Sequence, residues 1–186
     1  MNNYIPYTVF IIKNDAIRRK LSTLIIEDIK KYLDILKIKN IVLSIEQVIE
    51  LKKFEWENRW NPPPSDHVKE LTCIYEAQQA IALFCMSSNE IDAISIGTEL
   101  KGKSPLAHLC SPSTIRGKYY DPSIVSRIST DKHGVSLLMD NNRSPISYPP
   151  NVIHSVSDTY ELLCHVKLLF PEFLPQVTQE HIEAFL

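Results

Sequence analysis

Tyr7-Thr8-Val9-Phe10-Ile11-Ile12-Lys13-Asn14-Asp15 is the stretch around which the sequence organises itself. Six β-branched, aromatic or aliphatic residues run together without a charge, the pattern of a short strand buried on both faces. Lys13 ends the run, and Asp15 suits the N-cap of a following helix. Ile17, Leu21, Leu24, Ile25, Ile29, Tyr32, Leu33 and Leu36 then recur at three- and four-residue steps. That spacing predicts one amphipathic helix, with lysines and acids on its outer face.

Further out, residues 41–45 read as a second strand. Ser44 followed by Gln47 predicts a capping box opening a helix through about Trp56. Asn61-Pro62-Pro63-Pro64-Ser65-Asp66 breaks the chain, because proline fixes φ and removes a donor. Residues 67–79 suit a helix capped by Ser65 or Asp66, residues 80–86 a strand, 89–100 a short helix and 101–112 a loop. Residues 119–150 are polar and rich in proline and asparagine, with 134–139 fit for one strand of a hairpin. Residues 151–154 turn apolar again. Ser157 or Asp158 can cap a final helix through Leu169, which Pro171 ends. The order β-α-β-α-(α)-β-α-β-α favours an α/β (α+β) sandwich, a ferredoxin-like antiparallel sheet covered by helices.

The chain has 186 residues, 44% hydrophobic and 23% charged, a length and balance that bury a core without disulfides or a structural metal. One domain over 1–186 is expected, with an insertion at about 119–150. A net charge of -2 argues against bulk nucleic-acid binding and against an anionic membrane surface. Cys73, Cys85, Cys110 and Cys164 include no Cys-x-x-Cys, which suits free thiols in a reducing compartment. With no signal-like N-terminus and no bilayer-long apolar run, a cytoplasmic protein is expected, export without a classical signal staying open.

Lys13, the Arg116 of Ser113-Thr114-Ile115-Arg116-Gly117, and the His154 of Asn151-Val152-Ile153-His154 together suit phosphoryl transfer. Neutral imidazole is a nucleophile near neutral pH. Arg gives a planar fork for phosphate, and Lys a point charge. Each also has a plain alternative: a strand-end lysine, a structural turn arginine, a strand-capping asparagine, a satisfied histidine.

These three segments, in this order, resemble the nucleoside diphosphate kinases. Residues 8–15 look like that family's first strand and its Lys-Pro-Asp turn, with Asn14 in the proline position. Ser113-Thr114-Ile115-Arg116-Gly117 is similar to its Gly-Thr-Ile-Arg-Gly, and Asn151-Val152-Ile153-His154 to its Asn-x-x-His. The resemblance implies His154 as phosphoryl carrier, Lys13 and Arg116 as phosphate ligands, and Asn151 near the sugar. Ser104 would be a further phosphate contact. Phe54, Trp56 or Trp60 would stack on the base. It implies Mg²⁺ bound with ATP or another nucleoside triphosphate, through the phosphates and not through the protein. It also implies nucleoside di- and triphosphates as partners, and a homo-oligomer.

The departures are specific. Without a gap, Val156 takes the position of the serine that follows the family's nucleophile; a local bulge would restore Ser157-Asp158. His165 stands where the family's histidine-orienting glutamate falls. Thr98 replaces a second phosphate-binding arginine, for which Lys101 or Lys103 could substitute. Loss of one preorganised donor typically costs about 10²–10³ in rate. The insertion carries Arg127, Lys132, His133 and Arg143, and reads either as a lid or partner-binding arm or as a surface loop. The expected activity is transfer of a γ-phosphoryl group from a nucleoside triphosphate to a diphosphate through phosphohistidine. The alternatives are an impaired nucleotide-binding or protein-interaction module on the same fold, and an enzyme acting on another phosphorylated substrate.

Overall fold

The computed structural model describes residues 4–44, 46–51, 79–88, 91–104, 107–122, 127–130, 136–139, 145–146 and 151–185. The first run is strand β1 (Tyr7–Ile12), and all six of its residues are buried. It sits inside a four-stranded antiparallel sheet of order β2-β3-β1-β7. The partners are β2 (Asp34–Val42), β3 (Gln79–Met86) and β7 (Ile153–Ser155). Being interior, β1 puts Tyr7, Val9 and Ile11 into one core and Phe10 and Ile12 into the other. That double burial is why its sequence is apolar throughout instead of alternating.

Helices α1 (Asn14–Arg18) and α2 (Ser22–Lys30) supply Ala16, Ile25 and Ile29 to the Phe10 core. A helical segment over 46–51 (α3), α6 (Thr159–Leu169) and α7 (Leu174–Phe185) build the Tyr7 core, with Val48, Leu162, Val166 and Val177. Helix α4 (Ala93–Lys101) gives Ala93 to one core and Ile94 to the other. Gly97 lets it lie close on β1: a Cβ there would meet Thr8 Oγ1 at 3.1 Å. The architecture is the ferredoxin-like sandwich that the element order implied.

Three sequence-based expectations shift. The helix read through Leu36 breaks at Lys20, whose φ of 58° lies in the left-handed region, and it ends at Lys30. Residues 34–42 instead form β2, paired along β3 from Asp34↔Met86 to Val42↔Gln79, with an irregularity between Ile35 and Lys37. Tertiary ladder bonds outweigh local helical periodicity here. Gln79, expected in a helix, opens β3. Beyond the expected last helix, α7 was not foreseen.

Other local signals hold. Gln47 N–H donates to Ser44 Oγ at 3.3 Å, and Ser44 N–H to Gln47 Oε1 at 3.0 Å, closing the capping box. Asp158 caps α6 by accepting from Glu161 N–H at 2.8 Å. Between α5 and β7, β4 (Arg127–Thr130), β5 (Ser136–Met139) and β6 (Pro145–Ile146) form a separate antiparallel sheet of order β4-β5-β6. The hairpin strand read at 134–139 thus exists as β5.

Candidate active site

Residues 151–155 cross the edge of the sheet, and buried polar groups converge on their backbone. Ile153 N–H donates to Asn151 O at 2.6 Å, closing a three-residue turn about Val152, whose φ is 54°. A β-branched residue in this region is strained by about 1–3 kcal/mol. The neighbours hold it there. Asp15 Oδ2 accepts from Val152 N–H at 3.1 Å, and Val152 O accepts from Lys13 N–H at 2.9 Å. Asp15 therefore does not cap α1; the residue at that cap is Lys13, with no side-chain bond.

Three buried cations close around the same segment. Lys13 Nζ donates to Asn151 Oδ1 at 2.7 Å. Lys101 Nζ, at the end of α4, donates to Ser155 O at 3.0 Å. Arg116 donates from Nε and Nη2 to Ile153 O at 3.3 and 3.1 Å, and from Nη1 to Gly102 O at 3.1 Å and Ser104 O at 2.7 Å. Four of the expected residues, Lys13, Arg116, Asn151 and His154, are thus brought together. Ser104 joins through its carbonyl. Of the two suggested substitutes for Thr98, Lys101 is buried in this cluster and Lys103 is exposed. Phe54, Trp56 and Trp60 lie outside the described residues.

Arg116 reaches the segment because its short helix α5 (Ile115–Lys118) is fixed at both ends. Thr114 Oγ1 accepts from Gly117 N–H at 3.2 Å and donates to Ser111 O at 2.7 Å. A Cβ at Gly117 would lie 2.0 Å from Ser111 O, so only glycine allows this approach. Beyond it, Lys118 Nζ and Tyr119 Oη donate to Asp28 Oδ2 on α2 at 2.5 and 2.8 Å, while Arg19 donates to Tyr119 O at 2.7 Å. Burial alone would raise the Asp28 pKa. The bonds from Lys118, Lys31 and Tyr119 outweigh it and lower the pKa from 3.8 to about 2.

His154 pairs with Ile11 across the β1–β7 ladder and so faces α6. Its Nε2 lies at ion-pair distance, 3.1 Å, from Glu161 Oε1. Ser157 donates to Glu161 Oε2 from both N–H and O–H, at 2.7 and 2.8 Å. The His165 ring stacks on His154, with centroids 5.3 Å apart, and its Nδ1 bonds Glu161 O at 2.8 Å.

One reading of the sequence changes here. A carboxylate does stand beside His154, supplied one turn before His165 by Glu161. Of the two alternatives after the histidine, Val156 is buried in the Tyr7 core and Ser157 is the serine that bonds Glu161. The motif spacing points to position 165 and passes over Glu161. The signal was available: 161 and 165 are four apart on one helix, hence on one face.

The overall fold has solved relatives. One is a nucleoside-diphosphate kinase from Borrelia burgdorferi, a transition-state mimic with bound vanadate and ADP. It superposes with a TM-score of 0.66 at 16% identity, over 88% of this chain and 86% of that one. Another is the enzyme from Encephalitozoon cuniculi, at TM-score 0.62 and 24% identity, over 91% of each chain. A third, an NDP kinase from Pyrobaculum aerophilum, gives TM-score 0.62 at 19% identity, over 89% of this chain and 95% of that one. The fold is that of the nucleoside diphosphate kinases. No protein-family model and no curated protein matches the sequence. Among the described residues of this nucleoside diphosphate kinase fold, no helix is long and apolar enough to cross a membrane.

Proposed function

We propose that this chain is a nucleoside diphosphate kinase-like phosphotransferase, passing the γ-phosphoryl group of a nucleoside triphosphate to a nucleoside diphosphate through His154. The observation that supports it most is the line Ser157–Glu161–His154, in which an anchored carboxylate faces one imidazole nitrogen. We assign the ring proton to Nε2, the nitrogen on the side of the carboxylate, and the lone pair to Nδ1. Nδ1 is then the nucleophile: it forms a bond to the γ-phosphorus as the bond from phosphorus to the β-bridging oxygen breaks, and the diphosphate leaves. The second half reverses this with a different diphosphate. Glu161 stabilises the positive charge the ring gains. Lys13, Lys101 and Arg116 offset the phosphate charge, and Asn151 holds Lys13.

At this segment Asp15 is bound to Val152 N–H, and Glu161 to Ser157 and His154. With these carboxylates engaged, Mg²⁺ fits best as an ion carried on the nucleotide phosphates. Bound there, it would offset charge and orient the γ-phosphoryl group. In the same reading the protein is one domain over 1–186 with an insertion at about 119–150, works in the cytoplasm and forms a homo-oligomer.

One observation favours the second reading, a nucleotide-binding or interaction module with impaired catalysis. The Arg116 bonds described above all go to backbone carbonyls, which suits a structural turn arginine. Incubation with γ-labelled ATP and Mg²⁺, beside His154→Ala, separates the two. Acid-labile, base-stable label on the wild type alone, discharged by a diphosphate, is the expected result. Nucleotide binding with no label would leave the recognition module.

A further inference from the structure

His154, Glu161 and His165 form a trio whose candidate ligand atoms all lie within 4.8 Å of one another. All three are buried, at 9%, 7% and 0% exposure. Phosphoryl transfer explains His154 and Glu161, but it gives His165 no task.

Two of the three already carry the supporting bonds that orient a metal ligand. His165 Nδ1 lies 2.8 Å from Glu161 O. A carbonyl only accepts, so the proton sits on Nδ1 and the lone pair on Nε2. Glu161 Oε2 is fixed by Ser157, which turns Oε1 toward His154 at 3.1 Å. Imidazole with carboxylate suits zinc, copper, nickel or iron, whereas Mg²⁺ favours an all-oxygen shell.

We infer that His154, Glu161 and His165 form a binding site for a divalent transition-metal ion of the Zn²⁺ class, ligated through Nε2, Oε1 and Nε2. Tetrahedral Zn²⁺, with bonds of about 2.0–2.2 Å, holds its ligand atoms roughly 3.3–3.6 Å apart. The His154–Glu161 pair is already near that spacing, and a side-chain movement on the order of 1 Å completes the set. A water or an anionic oxygen takes the fourth position. Binding through Nε2 requires the His154 ring proton to stand on Nδ1, the nitrogen that phosphoryl transfer needs unprotonated. It also takes Glu161 away from its contact with the ring, so an occupied site and a phosphohistidine at His154 oppose each other. The site itself stands whether or not His154 carries phosphate.

The test uses the full chain, stripped with chelator and titrated with Co²⁺, then competed with Zn²⁺. It contains no nucleotide, so its failure is distinct from failure of the phosphotransfer reading. The expected result is one equivalent of Co²⁺ with the visible bands of a four-coordinate site. His165→Gln should weaken binding at least tenfold, and Ser157→Ala, which removes the hydroxyl that holds Glu161 Oε2, about 10- to 100-fold. Because a fully buried histidine variant can misfold, ring NMR signals of the wild type give an independent readout: Zn²⁺ should shift His154 and His165 together. Binding of unchanged strength in His165→Gln, binding abolished by thiol alkylation instead, or rings that do not respond would each overturn the site.

Discussion

Glu161 sits one turn before His165, and that offset decides what His154 meets. A carboxylate at 161 reaches Nε2 while its other oxygen is pinned by Ser157. Glu161→Gln keeps the shape and removes the charge. Under the phosphotransfer reading it should slow single-turnover labelling of His154 about 10²-fold while leaving nucleotide affinity unchanged. A weakened affinity with an unchanged rate would place Glu161 in binding instead. On the other side of the segment, Asp15 holds the strained Val152 through its N–H. Asp15→Ala leaves a donor unsatisfied, and should destabilise the protein by about 1–3 kcal/mol in urea unfolding. The Asp15–Val152 pairing is not visible as spacing, since positions 15 and 152 meet only when β1 and β7 pair.

At the scale of elements, α5 is the part on which the position of Arg116 depends. Gly117→Ala would drive a Cβ into Ser111 O, 2.0 Å away. It should cost about 1–3 kcal/mol of stability and displace Arg116 from Ile153 O; wild-type stability would show that the turn can retreat. The brace from Asp28 to Lys118 and Tyr119 is open to a pH test. Its folded pKa is lowered from 3.8 to about 2, so its stabilisation is present above about pH 4 and fades as pH falls toward about 2. Because its lysine partners are largely exposed, Asp28→Asn should cost only about 1 kcal/mol at neutral pH. It should also flatten the stability profile between pH 4 and 2; a profile unchanged in the variant would count against the brace. Element boundaries were least legible where no local residue announces them. Lys20 takes a left-handed φ without being glycine, and the edge strand β2 carries a helix-like apolar spacing.

At the scale of the whole molecule, the chain between Arg116 and Asn151 carries its own small sheet, β4-β5-β6. If it acts as a lid that lends cations to the phosphates, Arg127→Ala with Arg143→Ala should weaken nucleotide affinity by about tenfold in calorimetry, roughly 1.4 kcal/mol. Equal affinity would leave it as surface decoration. The architecture around it was readable in advance. A continuous apolar run marked the interior strand, a Ser-x-x-Gln box marked one helix start, and Asp158 marked another. Each is a local signal, and each matches what the backbone does.

The sequence by itself determined the layers and singled out His154 as the candidate reacting group. Strand and helix periods, caps and breaks are local physics, and Asn151-Val152-Ile153-His154 names its own histidine. Only the tertiary structure decided what surrounds that histidine. Glu161 comes within 3.1 Å of it from the first turn of α6. Lys101 arrives from the end of α4, and Arg116 anchors the strand from α5. The lysine and arginine contacts join segments far apart in the chain, set by which strands pair and which face each helix buries, and no spacing within one segment encodes them.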